Sequence, residues 1–187
     1  MNISELQSYI SEVPDYPKKG ILFYDISTLI NNSEAFMFSI EALASLLKKY
    51  DINKLAAIDA RGFIFGAALA QKLGLGLVMI RKKNKLPGKT LNQSYDLEYG
   101  QDTLEIKSEL SQAKFALIDD VLATGGTASA AIELINKGGG HPVWLKAAFG
   151  DFLMYPAFQS VLIECCCNGA LRPPTSLSKG SSSTRRC

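Results

Sequence analysis

Cysteine is missing from the first 164 residues. All four cysteines, Cys165, Cys166, Cys167 and Cys187, lie at or beyond the edge of the patterned part of the chain. A body without cysteine excludes a disulfide framework and fits a cytoplasmic protein. Histidine is almost absent too. His141 stands alone after Gly138-Gly139-Gly140, without a Cys or His companion to make a metal site, and reads as a solvated loop residue. The single tryptophan, Trp144, reads as core. No stretch approaches the ~20 apolar residues of a membrane span. Met1 to Ile10 has neither the basic start nor the apolar run of a secretory signal. Strong charge is lacking as well: 20 basic against 18 acidic residues give a net +2, and nothing argues for a nucleic-acid surface. Four of those bases, Arg172, Lys179, Arg185 and Arg186, fall in residues 165–187, which hold no acid. That Ser- and Arg-rich segment, with Pro173-Pro174, predicts a disordered tail. At 187 residues, 47% apolar and 20% charged, the remainder predicts one soluble globular domain over 1–164.

What the chain does have is concentrated in Phe115-Ala-Leu-Ile-Asp-Asp-Val-Leu-Ala-Thr-Gly-Gly-Thr127. Phe115 to Ile118 has the length and composition of a buried strand. Two adjacent carboxylates, Asp119 and Asp120, stand at its end. A turn of small residues follows, Ala123, Thr124, Gly125, Gly126 and Thr127, and then a helical pattern through Ala131, Ile132 and Ile135 that ends at Gly138. This is one α/β unit with its polar groups at the carboxyl end of the strand, where open α/β sheets bind ligands.

Each group suggests its partner. Gly125 and Gly126 let backbone approach an anion, and the amides and dipole of the following helix favour negative charge. Thr124 and Thr127 add hydroxyl donors. Carboxylates do not bind phosphate, so Asp119 and Asp120 must face hydroxyls or a divalent ion. A phosphate at one end and a diol a few ångströms away describe a ribose 5-phosphate. The plain alternative, a buried strand with a solvated acidic end, fits the whole arrangement poorly. The loop is not a Gly-Lys-Ser/Thr phosphate loop, nor does it contain Gly-x-Gly-x-x-Gly.

The flanking segments read in chain order. Residues 3–13 predict a short helix with Ile3, Leu6 and Ile10 on one face, ended by Pro14 and Pro17. Residues 15–26 predict a stiff, irregular strap. Ser33 predicts an N-cap, with Phe36, Ile40, Leu43 and Leu47 behind it. Leu55 to Ile58 predicts a strand that ends in Asp59-Ala60-Arg61-Gly62, then a helix to about Leu73. Arg61 there either forks onto phosphate oxygens or pairs with Asp59 or another acid. Gly76 to Ile80 predicts a parallel strand, and five cations follow within Arg81 to Lys89. They are either a solvated face or a cationic lid over a polyanion. Glu98, beside Tyr99, is either a hairpin surface acid or a carboxylate whose pKa burial could raise. Thr103 to Ile106 predicts an alternating strand, and Pro142 to Phe149 a last core strand.

The central stretch resembles the donor-binding signature of the type I phosphoribosyltransferases. Tyr16-Pro-Lys-Lys-Gly-Ile-Leu-Phe-Tyr-Asp-Ile26, Ala60-Arg-Gly-Phe-Ile-Phe-Gly66, Arg81 to Gly88 and Tyr95-Asp-Leu-Glu-Tyr-Gly100 extend the resemblance to the adenine-specific branch, from about residue 3 to residue 149. It implies an α/β fold, a mostly parallel sheet flanked by helices, with a small hood built partly from 3–26 and a flexible lid loop. It implies transfer of ribose 5-phosphate from phosphoribosyl pyrophosphate to adenine with Mg2+, giving AMP and pyrophosphate, in a cytoplasmic homodimer that engages neither nucleic acid nor membrane.

Residue by residue, the resemblance puts ribose and its 5-phosphate on Asp119, Asp120, Ala123, Thr124, Gly125, Gly126 and Thr127. Pyrophosphate and lid fall to Asp59, Ala60, Arg61, Gly62, Arg81, Lys82, Lys85 and Tyr99. Leu22 reads the adenine edge, Phe23 stacks on it, and Glu98 does acid/base work. No direct protein cluster for the metal is expected. Two departures stand out. Tyr24 takes a place where many members have arginine, and the connection between Phe149 and a last strand over 158–164 is short. A donor-sensing regulator, an inactive copy and an enzyme for another purine are the alternatives.

Overall fold

The computed structural model describes residues 1–97, 100–110, 112–120 and 125–143, with only the backbone of Asp96 and Leu97. The chain opens with a capping box. The Asn2 side chain accepts the Glu5 amide and the Glu5 side chain accepts the Asn2 amide, starting helix α1 (Ile3–Gln7). The helix predicted over 3–13 stops there. Leu6 and Ile10 are buried as expected, but Ile3 is exposed. Ser11–Pro14 is strand β1, paired antiparallel with β2 (Leu22–Asp25). A helix of so few residues has little stability of its own, and β2 offers residues 11–14 backbone partners instead. The predicted strap is therefore half of a two-stranded sheet.

Helices α2 (Ser27–Asn31) and α3 (Ser33–Leu47) follow. The cap of α3 is Asn32, one residue before the predicted Ser33, and its side chain accepts the Ala35 amide at 2.9 Å. Strand β3 (Lys54–Ile58), helix α4 (Gly62–Leu73) and strand β4 (Gly76–Lys82) form a β-α-β unit, with β3 and β4 parallel. Gly74 ends α4 in the left-handed region at φ 66°. Strands β5 (Thr90–Leu97) and β6 (Gly100–Lys107) make an antiparallel hairpin longer at both ends than the predicted 103–106 strand. Strand β7 (Lys114–Ile118), helix α5 (Gly126–Lys137) and strand β8 (His141–Val143) complete the described chain. His141 is not in a loop. It opens β8, exposed, with its amide donating to the Ala113 carbonyl. The rest of the predicted last strand, Trp144 and the 165–187 tail lie outside the described residues.

The large sheet runs β5-β6-β4-β3-β7-β8, parallel from β4 through β8 and antiparallel in the hairpin. Alternation along its central strands sorts side chains into two cores. Leu55, Ala57, Ala116 and Ile118 join Leu6, Leu29, Leu43, Leu47, Phe65 and Leu69, the layer of α1 to α4. Ala56, Ile58 and Phe115 face the other way and join Ala131, Leu134 and Ile135 of α5 with Leu104 and Ile106 of the hairpin. Helices therefore cover both faces, as strands buried on both sides require. A Cβ on Gly66 would stand 2.7 Å from that of Ala57, so α4 lies directly on β3 there. Among the described residues no helix is long and apolar enough to cross a membrane.

Candidate active site

Strand register decides what meets at the carboxyl edge of the sheet. Ile58 pairs with Ile80, and Ala57 pairs with Ile118. The residues just beyond, Asp59, Arg81, Asp119 and Asp120, must therefore emerge side by side. They do. The Asp59 amide donates to the Ile80 carbonyl at 2.9 Å, and Arg81 Nε donates to Asp59 Oδ2 at 3.1 Å.

The turn Asp59 to Gly62 presses against the acidic pair. A Cβ at Gly62 would lie 2.9 Å from the Ile118 carbonyl oxygen and 3.3 Å from Asp119 Oδ1, so only glycine fits without displacement. This approach brings Arg61 to Asp120. Arg61 Nε lies 2.8 Å from Asp120 Oδ2, yet among the described residues no aligned hydrogen bond reaches that buried oxygen. The contact is one of charge, at too poor an angle for an N–H to point along it. Asp120 is 4% exposed, and its Oδ2 is an acceptor that lacks a donor among the described residues. The acid that Arg61 meets is Asp120 and not Asp59, whose Oδ2 accepts Arg81 Nε.

Asp119 is half-buried. Its Oδ1 accepts the Asp120 amide at 2.9 Å. Burial pushes its carboxyl up to about 7, and the neighbouring Asp120 charge adds to the rise. The hydrogen bond from the Asp120 amide and the Arg61 guanidinium oppose it without prevailing. The pair is thus suited to partners that bring donors or positive charge.

Beyond the pair, Gly125 sits at φ 81° and opens α5 with no side-chain cap. The first turn of α5, from Gly126 and Thr127, also carries no acid. Uncapped amides at the start of a twelve-residue helix favour an anion. Ala123 and Thr124, predicted in the same loop, lie outside the described residues, as do Glu98 and Tyr99.

The strand β2 brings a ring to this edge. Phe23 meets Tyr16 edge-on at 5.2 Å between centroids, and the Arg61 guanidinium stands 5.5 Å from its ring centre. Leu22 beside it is exposed. Tyr24 is half-buried and packs against the first core, so it fills space in the fold at the place where the resemblance anticipates a cation.

The cationic run is shared between strand and loop. Arg81 and Lys82 still belong to β4, and Lys82 reaches Asp102 at 3.4 Å. The loop from Lys83 to Lys89 is tied to β6 along its length. Lys83 N–H donates to the Thr103 carbonyl at 3.0 Å, and Ser108 N–H to the Lys89 carbonyl at 3.3 Å. Lys107 Nζ donates to the Pro87 carbonyl. The amides of Lys85 and Leu86 both donate to Glu105 Oε1, at 2.6 and 2.5 Å. Sequence reasoning missed Glu105. It sits in an alternating strand where a glutamate reads as solvent-facing, yet it is 3% exposed. The long-range signal, a loop folding back across the strand, is not in the local pattern. Among the described residues no group of three or more His, Cys, Asp or Glu could hold a metal ion.

Comparison with known proteins agrees with this geometry. Residues 27–145 match the phosphoribosyl transferase domain model. The chain is 51% identical over 138 residues to an adenine phosphoribosyltransferase of Sulfurimonas denitrificans, covering 72% of this chain and 76% of that one. It is 53% identical over 136 residues to that of Campylobacter hominis, covering 71% and 75%. Among solved structures, the adenine phosphoribosyltransferase of Thermoanaerobacter pseudethanolicus superposes with a TM-score of 0.74 at 44% identity, covering 78% of this chain and 88% of that one. The Saccharomyces cerevisiae enzyme, solved with adenine and an imino-altritol bisphosphate, superposes at 0.75 and 32% identity, covering 82% and 95%.

Proposed function

Because this chain belongs to the phosphoribosyl transferase domain family, we propose that the edge built from Asp59–Gly62, Arg81, Asp119–Asp120 and Gly125–Thr127 binds phosphoribosyl pyrophosphate and passes its ribose 5-phosphate to adenine. The products are AMP and pyrophosphate. One observation carries the reading: Arg61 lies within contact of both Asp120 and the Phe23 ring, so a purine stacked on Phe23 stands next to a ribose held by the acidic pair.

The roles follow from the groups. The unpartnered Oδ2 of Asp120 accepts a ribose hydroxyl, and Asp119 accepts the other. Gly125, Gly126 and Thr127, with Ala123 and Thr124 of the same loop, take the 5-phosphate through backbone amides and hydroxyls at the start of α5. The bond from ribose C1 to pyrophosphate oxygen breaks, and positive charge grows on the sugar ring while negative charge grows on the leaving group. The carboxyl groups of Asp119 and Asp120 face the first. Arg61, Arg81, Lys82, Lys85 and Tyr99, with the backbone of Ala60 and Gly62, face the second. A purine nitrogen then closes on C1 and loses a proton, which Glu98 is placed in sequence to accept. Leu22 offers main chain to the adenine edge.

Mg2+ fits this site as an ion held mainly by the substrate. The described residues supply a carboxylate pair but no three-ligand cluster, so pyrophosphate and ribose oxygens would complete its shell. It would neutralise charge on the leaving pyrophosphate. A cytoplasmic location rests on the cysteine-free body. A homodimer rests on family resemblance, and light scattering of the purified protein tests it.

The activity is tested by measuring AMP and pyrophosphate formed from adenine, phosphoribosyl pyrophosphate and Mg2+. Equal yields of both products are expected. Asp120→Ala should remove donor binding, and Glu98→Ala should lower kcat by about 100-fold with donor binding retained. Full turnover in either variant would refute the assigned role.

A further inference from the structure

We propose that Glu105 is a positioning residue that holds the basic loop and, through it, the pyrophosphate edge. The inference rests on the functional reading above and deepens it. Glu105 lies on β6, and its register partner across the sheet is Arg81. Its carboxylate is almost fully buried, which is costly unless hydrogen bonds replace water. Here a single oxygen, Oε1, receives the consecutive amides of Lys85 and Leu86. Backbone amides converging on a carboxylate make a charge-assisted clamp, and this one fixes the loop by its main chain and leaves its lysine side chains free to face a ligand.

The clamp continues to the site. The Lys85–Leu86 peptide is held from both sides, since its N–H donates to Glu105 and its carbonyl accepts Arg81 Nη1 at 3.2 Å. The same guanidinium donates Nε to Asp59 Oδ2, and Asp59 begins the turn that carries Arg61 to Asp120. Four links therefore run from a buried acid on β6 to the ribose-binding pair: Glu105 to the Lys85–Leu86 peptide, that peptide to Arg81, Arg81 to Asp59, and the Asp59–Gly62 turn to Asp120. Glu105 touches none of the reacting atoms. It fixes where Arg81 and the loop cations stand when the polyanion arrives.

Two variants and one exchange experiment test this. Glu105→Gln keeps an oxygen that accepts both amides, whereas Glu105→Ala removes the acceptor. Residue-resolved hydrogen exchange of the free protein reads the clamp, and KM for each substrate reads its consequence. In the alanine variant, protection at Lys85 and Leu86 should vanish and KM for phosphoribosyl pyrophosphate should rise about tenfold or more, as expected for misplaced binding groups. KM for adenine should rise much less, by about twofold or under, because Phe23 meets only the last member of the chain of contacts, Arg61, and is packed independently on Tyr16. Glu105→Gln should restore most of both properties.

Unchanged protection or unchanged donor KM in the alanine variant would overturn the proposal. So would an equal rise in both KM values without rescue by glutamine, which would mark general damage to the fold. Should Glu105→Ala fail to fold, wild-type exchange decides. Lys85 and Leu86 exchanging as fast as exposed Lys19 would overturn the clamp, and protection about 100-fold above that residue would support it. Should the wild-type protein form no AMP, the functional reading falls, and the exchange experiment still gives its own answer on the clamp.

Discussion

Replacing Asp119 with asparagine should make the protein more stable above neutral pH and remove a pH dependence. The carboxyl is raised from 3.8 to about 7, chiefly by burial and then by the charge of Asp120. The folded chain therefore keeps a proton that the unfolded chain releases between pH 4 and 7. Stability from this group is fully present below the unfolded value and is lost as pH rises through the folded one. At about 1.36 kcal/mol for each pH unit between the two values, the difference amounts to roughly 4 kcal/mol. The amide side chain of the variant stays neutral at every pH, so titrating groups other than the neighbouring Asp120 cancel when the two proteins are compared. The assay is urea unfolding of both proteins in steps from pH 4 to 8. The stability of Asp119→Asn relative to wild type should climb by up to roughly 4 kcal/mol from pH 4 to 7 and level off above that. A difference that stays flat across the series, or that falls with rising pH, would refute the reasoning. The same variant should bind phosphoribosyl pyrophosphate more weakly, so stability and function part company at this residue.

Two further changes test the packing behind the site. Gly66→Ala drives a methyl into Ala57 and Leu77, and urea unfolding should show a loss of about 1–3 kcal/mol from forcing α4 off β3. Arg61→Met removes the charge facing buried Asp120 and the cation over Phe23. Calorimetry should show donor affinity falling by at least about tenfold, with a smaller fall in adenine affinity, if the guanidinium is, as proposed, one of several positive groups facing the pyrophosphate.

Much of the sheet was legible because its signals are local. The apolar runs at 55–58, 76–80 and 115–118 all lie in strands, and Gly138 directly follows the end of α5 at Lys137. The carboxyl-edge placement of Asp59, Arg61, Arg81, Asp119 and Asp120 followed from three parallel strands, a rule of the fold and not of any one residue. Pairing partners were not legible. Residues 11–13 read as the tail of a helix because their strand partner lies across the turn at 22–25, and a periodicity argument sees one segment at a time. Arg61 read as a fork onto phosphate or as the partner of Asp59 or another acid, and no local pattern shows that Arg81, from the next strand, holds Asp59 while Arg61 meets Asp120. Glu105 drew no notice in the alternating strand, because its burial comes from a loop twenty residues earlier that folds over it. His141 was placed in a turn because three glycines precede it, yet parallel pairing with Lys114 draws it into β8.

The measurement closest to the central claim is nucleotide formation by the purified protein from phosphoribosyl pyrophosphate and Mg2+, with adenine, hypoxanthine, guanine and xanthine tried side by side. The account predicts AMP from adenine and negligible product from the three oxopurines. Donor binding without turnover on any base, or preference for an oxopurine, would contradict it.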